Sequence, residues 1–415
     1  MMMINIRSIT LFDHPGFPVR KNKLAEASRF NARAADLFQQ AGYRVQSKRY
    51  ATPSFAPILT GSSQGALISW AQELEQELGS RGFDYLALGP ALPDQPASYR
   101  VVPALIRETE NVFASGLMTA GSRKISLSAV RACGEIIQQL STVDDRGFAN
   151  LYFAALGNVP PGAPFFPAAY HDDSPPGFAL AIEGASLAVR AFSEAADFDS
   201  ARRNLIQDLE SHARSLSETG KTLQEELGMV FGGIDYSLAP FPAWDRSLGT
   251  ALEQLGDFRI GEHGSLAAAA FLADTIDQAE FPRTGFSGLM LPLLEDAALA
   301  ERGNTGELSL KDLLLYSTVC GTGLDTIPLP GELSAGEISA VLFDLAALSC
   351  RLNKPLTARL MPIPGKTVGD ETDFDFDFFA NSRVQAVQAQ KLKGLFQQDG
   401  WLTLQPREGN PSKNV

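Results

Sequence analysis

Residues 319–331, VCGTGLDTIPLPG, combine a thiol and a carboxylate with glycines and prolines in one short stretch. Glycine allows backbone conformations that other residues rarely adopt, and proline restricts φ, so such a stretch is typical of a loop with a defined conformation. Five other segments have the same glycine- or proline-punctuated character: 107–110, 232–240, 261–264, 286–296 and 364–370. We predict that all six are loops beside strands or helices. We expect the functional residues to lie in these loops.

Short apolar runs alternate with longer helical patterns around these loops. Strands are predicted at 7–12, 83–88, 151–156, 178–182 and 357–362, each short and bounded by Gly or Pro. Helices are predicted at 24–41, at 64–78, after Ser126, and after the capping boxes Ser309/Asp312 and Ser334/Glu337. This alternation favours a mostly parallel sheet, open or closed into a barrel. The proline-rich stretch 160–176 is also aromatic, so it is predicted to be a packed loop.

Composition excludes several classes of protein. The 415 residues are 45% hydrophobic and 20% charged, which rules out wholesale disorder. A net charge of -13 argues against a nucleic-acid or anionic-membrane partner, because either needs a basic face. Three cysteines cannot form a disulfide framework. With no export signal visible and no apolar run long enough to span a membrane, a cytoplasmic location is expected.

Common cofactor motifs are missing from the sequence. No G-x-G-x-x-G follows a strand, so NAD is not expected. Gly365-Lys366-Thr367 resembles the end of a phosphate loop, but Leu360 stands where that motif needs glycine. There is no C-x-x-C, no H-E-x-x-H and no G-x-S-x-G.

Two strings carry a family resemblance: GIDYSLAP at 233–240 and CGTGLDTIPLPG at 320–331. With the other segments, from the strand at 6–10 to Asp370, they resemble the DUF711 family, also called UPF0210, whose members have no assigned function. The resemblance implies a fold like that of pyruvate formate-lyase and other glycyl radical enzymes. That fold is a ten-stranded α/β barrel with a loop through its centre, here one large domain over 1–405 followed by a polar tail, 406–415. It also makes a homo-oligomer plausible.

The radical itself is not implied. Glycyl radical enzymes carry the radical on the glycine of an Arg-Val-x-Gly-aromatic loop, and the nearest string here, Arg383-Val384-Gln385-Ala386, has alanine at that position. Gly400-Trp401 lacks the preceding arginine and valine. The sequence therefore indicates the scaffold without a glycyl radical.

Four residues are candidates for catalysis. Cys320 lies among glycines and suits a nucleophile or a thiol acid/base, or else it is a small buried residue at a turn. His263, between Glu262 and Gly264, suits proton transfer, or else it is structural. Asp235 and Asp325 are acids among apolar residues, and each either takes part in acid/base chemistry or bonds loop amides.

Further residues are candidates for binding. Lys366 and Arg107 would pair with an anionic substrate, beside glycine amides at Gly321 and Gly323, and His171 is a second-rank candidate; for the two cations the alternative is a solvated charge. Glu295 and Asp296 are candidate ligands for a divalent metal ion or members of an acid/base pair, or else each caps a helix or bonds loop amides. Residues 370–377 alternate phenylalanine and aspartate, which predicts a strand with one apolar and one solvated acidic face.

The favoured hypothesis is an enzyme that acts on a small anionic metabolite inside the barrel. It would use non-radical acid/base or thiol chemistry, with Cys320 or His263 within hydrogen-bond reach of a second titratable group. The alternative is a metabolite-binding or regulatory protein without catalysis. A third interpretation, a purely structural assembly subunit, predicts a filled barrel with no pocket.

Overall fold

A mixed β-sheet organises the computed structural model, which describes residues 4–406. The strands are β1 Asn5–Phe12, β2 Arg44–Val45, β3 Lys48–Ser54, β4 Tyr85–Gly89, β5 Val112–Leu117, β6 Thr119–Ala120, β7 Lys124–Ser126, β8 Phe153–Gly157, β9 Gly177–Glu183, β10 Val230–Asp235, β11 Gly323–Pro330, β12 Leu356–Ile363 and β13 Trp401–Thr403. The expectations for the N-terminal methionines, 1–3, and for the polar tail beyond Pro406 lie outside the described residues.

Helices fill the connections between the strands. They are α1 Lys21–Gln40, α2 Gln64–Gly79, α3 Ala97–Arg107, α4 Leu127–Leu140, α5 Ala185–Ser193, α6 Phe198–Leu227, α7 Leu248–Glu253, α8 Ser265–Gln278, α9 Ala297–Thr305, α10 Leu310–Tyr316 and α11 Ala335–Leu352. Both predicted capping boxes are confirmed, since Ser309 caps α10 and Ser334 caps α11 through reciprocal hydrogen bonds. No helix within residues 4–406 is long and apolar enough to cross a membrane.

The large sheet has the strand order β10-β9-β1-β3-β4-β5-β8-β12-β11, with β2 beside β1. The central strands from β1 to β8 are parallel, and the junctions β1–β9 and β8–β12 are antiparallel, so the outer strands run the other way. The predicted parallel arrangement is therefore confirmed among the central strands and within each outer pair of strands, whereas the sheet as a whole is mixed. β6, β7 and β13 form a small separate sheet.

An irregular segment, residues 282–293, links the two outermost strands. The amide of Ile234 on β10 donates to Pro282 O at 2.8 Å, and the amide of Leu293 donates to Asp325 O on β11 at 3.1 Å. The segment runs parallel to both strands where it meets them. The large sheet is also curled, because side chains from β1 and β12, well apart in the strand order, reach the same carboxylate of Glu295.

The proline-rich stretch 160–176 is a packed loop, as predicted. Phe165 and Phe166 are buried, and the carbonyl of Pro164 accepts weak hydrogen bonds from the hydroxyls of Ser8 and Thr10 on β1. Ile9 and Leu11 of the same strand belong to the main hydrophobic core together with helix residues. The loop and the helices therefore contact different faces of β1.

Three local predictions need correction. Parts of the segments 232–240 and 319–331 are strands, β10 and β11, rather than loops, because bulges accommodate their irregular residues; the register shifts at Gly233 and again between Leu324 and Ile327. Residues 151–156 begin inside a helical turn and become a strand only at Phe153. Residues 370–377 form no regular strand, although Phe374 is buried and Asp373 and Asp375 are exposed, as the alternation predicts.

The close approach of β11 and β12 depends on Gly323. Its φ of +101° favours glycine, and an added Cβ would lie 2.3 Å from Thr357 O. Gly323→Ala should therefore lower the free energy of unfolding by about 3 kcal/mol or more. Gly369 has a similar φ of +89° but no atom within 4 Å of its added Cβ, so Gly369→Ala should cost only about 1–2 kcal/mol. Equal losses in urea unfolding would contradict the role given to this contact.

Candidate functional site

A cavity of about 230 Å³ lies inside the curl of the large sheet. Its wall comes from β1, β3, β4, β5, β9, β10 and β12, from the packed loop and from the segment that links the outer strands. The polar lining residues are Arg7, Gln46, Ser47, Arg49, Asp84, Asp235, Ser237, Glu295 and Arg359. The presence of this cavity argues against a filled, purely structural barrel.

Four charged side chains form a chain of ion pairs beside the cavity. Arg359 binds both oxygens of Asp325, at 2.6 and 2.9 Å, and its Nη2 also donates to Glu295 at 2.7 Å. Arg7 donates to the other oxygen of Glu295 at 2.9 Å. Burial by itself lowers the pKa of Arg359, but the two acids outweigh it and raise that pKa above its usual value. The charges in this chain therefore alternate and compensate one another.

Arg49 differs from its neighbours because it makes no ion pair within residues 4–406. Its Nε donates to Ser47 at 2.9 Å, and its guanidinium lies 5.0 Å from the ring centre of Phe166 and 5.8 Å from that of Tyr85. Burial, then the nearby Arg7, lowers the pKa of Arg49, and at neutral pH the group remains a cation. The cavity wall thus holds a positive charge that makes no ion pair with a carboxylate of residues 4–406.

Arg7 also has a spare donor. Its Nη1 is buried and has no hydrogen-bond partner in the described part of the chain. Oε2 of Glu183 lies 3.9 Å from that atom. Glu183 is itself occupied by Asn5 at 3.0 Å and Gln46 at 2.5 Å. Two arginines therefore present unused N–H groups in this region.

Asp235 brings a carboxylate to the same cavity at the end of β10. Ser237 donates to Oδ1 through its hydroxyl, at 2.5 Å, and through its amide, at 2.9 Å. The amides of Phe286 and Ser287 donate at 3.0 Å each. Burial raises the pKa of Asp235, and these hydrogen bonds act in the opposite direction. Gly285 is required beside it, since an added Cβ would lie 2.1 Å from Asp235 Oδ2.

The catalytic residues predicted from sequence do not gather around one cavity. Cys320 is buried and outside the central cavity, and burial raises the pKa of its thiol, which disfavours the nucleophilic thiolate. His263 lies on the surface before α8. Asp325 is buried against Arg359, and only Asp235 lines the cavity. The expected grouping of thiol, imidazole and acids is therefore wrong.

The predicted binding residues are also dispersed. Arg107 is exposed and pairs with Glu108 at 3.1 Å, and Lys366 donates to Glu371 O at 2.6 Å. His171 lines a separate cavity of about 160 Å³, where burial lowers its pKa against the influence of Asp172. The two glycines serve packing. An added Cβ on Gly321 would lie 2.8 Å from Gly288 Cα, and Gly323 abuts β12.

The two predicted metal ligands are engaged elsewhere. Asp296 caps α9 and accepts hydrogen bonds from amides of α7 and α9 and from the Ser247 hydroxyl at 2.5 Å. Glu295 is shared by Arg7 and Arg359. Within residues 4–406, no three His, Cys, Asp or Glu side chains are grouped as metal ligands. These acids therefore do not fit the predicted divalent-ion site.

The arginines of the cavity were missed by the sequence argument, although a signal for them exists. Arg7 and Arg359 are each the single charged residue of a strand, in NIRSITLF at 5–12 and in LTARLMPI at 356–363. A charge in a strand buried on both faces must be paired or must serve a ligand. Arg49 gives a weaker signal, because its neighbours in β3 are polar.

The fold and the cavity define an α/β protein whose curled mixed sheet encloses a pocket lined by arginines, acids and aromatic rings. The family model described as "Uncharacterised ACR (DUF711)" matches residues 3–382, and the chain belongs to this family. The resemblance inferred from the two strings is thereby confirmed.

Several curated relatives are similar over most of their length. A UPF0210 protein of Halothermothrix orenii is 29% identical over 398 residues, covering 89% of this chain and 88% of the relative. One from Oenococcus oeni is 29% identical over 375 residues, covering 86% and 82%. A UPF0210 protein of Methanocaldococcus jannaschii is 30% identical over 302 residues, covering 71% and 66%.

Removal of Arg359 tests the buried charge chain. Arg359→Met should lower the free energy of unfolding by about 3–5 kcal/mol, because it leaves Asp325 and Glu295 without their shared cation in a buried place. The control is Arg33→Met, which removes an ion pair to Glu226 at the surface and should change stability little. Urea unfolding measures both. Similar small changes in the free energy of unfolding for the two substitutions would show that the buried ion pairs of Arg359 do not stabilise the fold.

Alkylation tests the environment of Cys320. All three cysteines are buried, and burial raises the pKa of each thiol, so little thiolate exists at pH 8. Iodoacetamide should therefore modify the native protein slowly and all three cysteines quickly in urea, as counted by intact-protein mass spectrometry. Fast, selective modification of Cys320 in the native protein would restore the nucleophile hypothesis.

Proposed function

We propose that the protein binds a small anionic metabolite in the central cavity, where Arg49 receives the anionic group. The observation that carries this proposal is the unpaired guanidinium of Arg49 at the cavity wall. A cation in such a place is unfavourable without a counter-charge, so an anion that enters the cavity gains a strong partner. The unused Nη1 of Arg7 supplies a second donor.

We further propose that the chemistry, if the bound molecule reacts, is of the acid/base type with Asp235 as the acting group. Asp235 is the one predicted catalytic residue on the cavity wall, and its burial raises its pKa, which favours the protonated form more than in an exposed carboxyl group. Thiol chemistry is not part of the proposal, since Cys320 lies elsewhere. The homo-oligomer and the cytoplasmic location expected from the sequence remain part of it.

The proposed scaffold is a barrel of the glycyl radical enzyme type without the radical. The direction of the strands supports it. β1, β3, β4, β5 and β8 run one way, while β9, β10, β11 and β12 run the other. Residues 282–293, parallel to both β10 and β11, occupy the place of the strand that would complete the second half.

A second candidate function is binding or regulation without catalysis. It is favoured by the state of the acids around the cavity. Glu295 is held by two arginines, and Asp235 already accepts four hydrogen bonds. A carboxylate that is occupied in this way moves a proton only after it gives up a partner.

Ligand-dependent stability tests the anion pocket. Millimolar phosphate or acetate should raise the unfolding temperature of the wild-type protein, and isothermal titration should show one site per chain. Arg49→Met should abolish the stabilisation by removing the unpaired cation. Arg107→Met is the matched control, because Arg107 is an exposed arginine that was also predicted from the sequence to bind the anion. This substitution should leave the stabilisation by phosphate or acetate unchanged. Loss of binding in the control alone would refute the proposed site.

Mass spectrometry of molecules that co-purify with the protein separates the two candidate functions. The captured anion is incubated with the wild-type protein and with Asp235→Asn. Conversion by the wild-type protein only supports acid/base catalysis, whereas recovery of the unchanged anion from both supports binding without catalysis. Capture of cationic or neutral molecules alone would contradict both.

A further inference from the structure

The wall of the cavity that faces the arginines is aromatic. Seven aromatic residues line it: Tyr85, Phe113, Tyr152, Phe165, Phe166, Phe376 and Phe378. Phe113 lies at the centre of one cluster, with ring-centre distances of 4.8 Å to Tyr152, 5.4 Å to Phe166 and 5.5 Å to Tyr85. Such rings offer flat apolar surfaces that a planar molecule can contact edge-to-face or offset.

Both arginines with unused donors lie against these rings. The guanidinium of Arg49 is 5.0 Å from the ring centre of Phe166, and that of Arg7 is 4.5 Å from the ring centre of Phe378. An anionic group that pairs with either arginine therefore places the rest of its molecule beside an aromatic surface. The arrangement joins an anion receptor directly to a surface for a flat ring.

The charge around the cavity limits the charge of the ligand. Of the three arginines in the lining, Arg49 is the one without an ion pair within residues 4–406. Three carboxylates, those of Asp84, Asp235 and Glu295, line the same cavity. Glu183 also lies near, balanced in part by Arg246 at 3.5 Å. One anionic group therefore gives Arg49 a counter-charge, whereas a second negative charge would meet repulsion from the carboxylates around the cavity. The planar guanidinium matches a carboxylate in two-point contact.

The size of the cavity limits the body of the ligand. Pockets for drug-sized molecules have volumes of roughly 300–1,000 Å³. The cavity here, at about 230 Å³, is smaller and suits a molecule with one ring. We infer that the ligand is a monocarboxylic acid with a single aromatic ring, its carboxylate on Arg49 and its ring among the phenylalanines. This inference rests on the proposed anion-binding function and specifies the class of its ligand.

A matched set of small acids tests the inference on the full chain. Benzoate should bind about fivefold more tightly than cyclohexanecarboxylate, which has the same charge and a saturated ring, because only benzoate gains aromatic contacts. Benzoate should bind more than tenfold more tightly than acetate, and more tightly than phenyl phosphate, a dianion. Benzyl alcohol, which has no charge, should not bind measurably. Isothermal titration gives each dissociation constant.

Substitutions separate the ring contacts from the anion contact. Phe378→Leu should remove the preference for benzoate over cyclohexanecarboxylate and leave acetate binding unchanged; Phe378 is half-buried, so the fold should tolerate the change. Phe166→Leu, in the buried cluster, should act in the same direction. Phe198→Leu alters a phenylalanine that is 58% exposed and outside the cavity, and it should change nothing.

The possible outcomes distinguish the two levels of the proposal. If acetate, cyclohexanecarboxylate and benzoate bind equally and all need Arg49, the aromatic ligand is wrong and the anion pocket stands. If phenyl phosphate binds more tightly than benzoate, the cavity prefers a dianion to a monoanion, and the inference is wrong. If none of the acids binds, the proposed function itself fails.

Discussion

The ion-pair chain Arg7–Glu295–Arg359–Asp325 is the constraint on which the rest of the structure depends. Its members come from β1, from the segment before α9, from β12 and from β11. Ion pairs in a buried place are stable only when each charge is compensated with good geometry, and the bidentate contact of Arg359 meets that condition. The sheet must curl for these residues to meet, so the same contacts that neutralise the charges also shape the cavity.

The chain of pairs also explains why Arg49 stands out. Glu295 and Asp325 are bound by Arg7 and Arg359, and within residues 4–406 no carboxylate makes an ion pair with the third arginine. Its neighbours are Ser47 and aromatic rings, which hold a guanidinium in position without neutralising it. Fixed donors of this kind need little rearrangement when an anion arrives, which favours both binding and stabilisation of negative charge during a reaction.

Sequence reasoning succeeded where the interactions are local. The capping boxes of Ser309 and Ser334 involve residues three positions apart, and the structure confirms both. It failed where partners are distant in the chain. Nothing near Arg359 in the sequence indicates that its partners are Asp325 and Glu295, so the charge was not recognised as part of a network. The one indication in the sequence was that Arg359 lies within an otherwise apolar strand that is predicted to be buried.

The glycines and Cys320 show a second reason for failure. Glycine near a thiol is compatible with a ligand site and equally with close packing of two backbones, and local sequence cannot separate the two. The structure places Gly321 against Gly288 and buries Cys320 beside that contact. The family strings, in contrast, identified the family because they extend over many positions. Asp235, which belongs to one of them, and Glu295 were both named from the sequence, and both line the cavity.

The order in which the chain is synthesised gives the late position of Arg359 a further meaning. Glu295 and Asp325 leave the ribosome before Arg359, and β12, which carries it, must then insert between β8 and β11, of which β8 was made some two hundred residues earlier. A nascent chain that has not reached β12 holds Asp325 with no cation, Glu295 with Arg7 as its one arginine partner, and two strands with open edges. Such an intermediate is prone to aggregation, so the fate of the earlier part of the chain depends on the synthesis of β12.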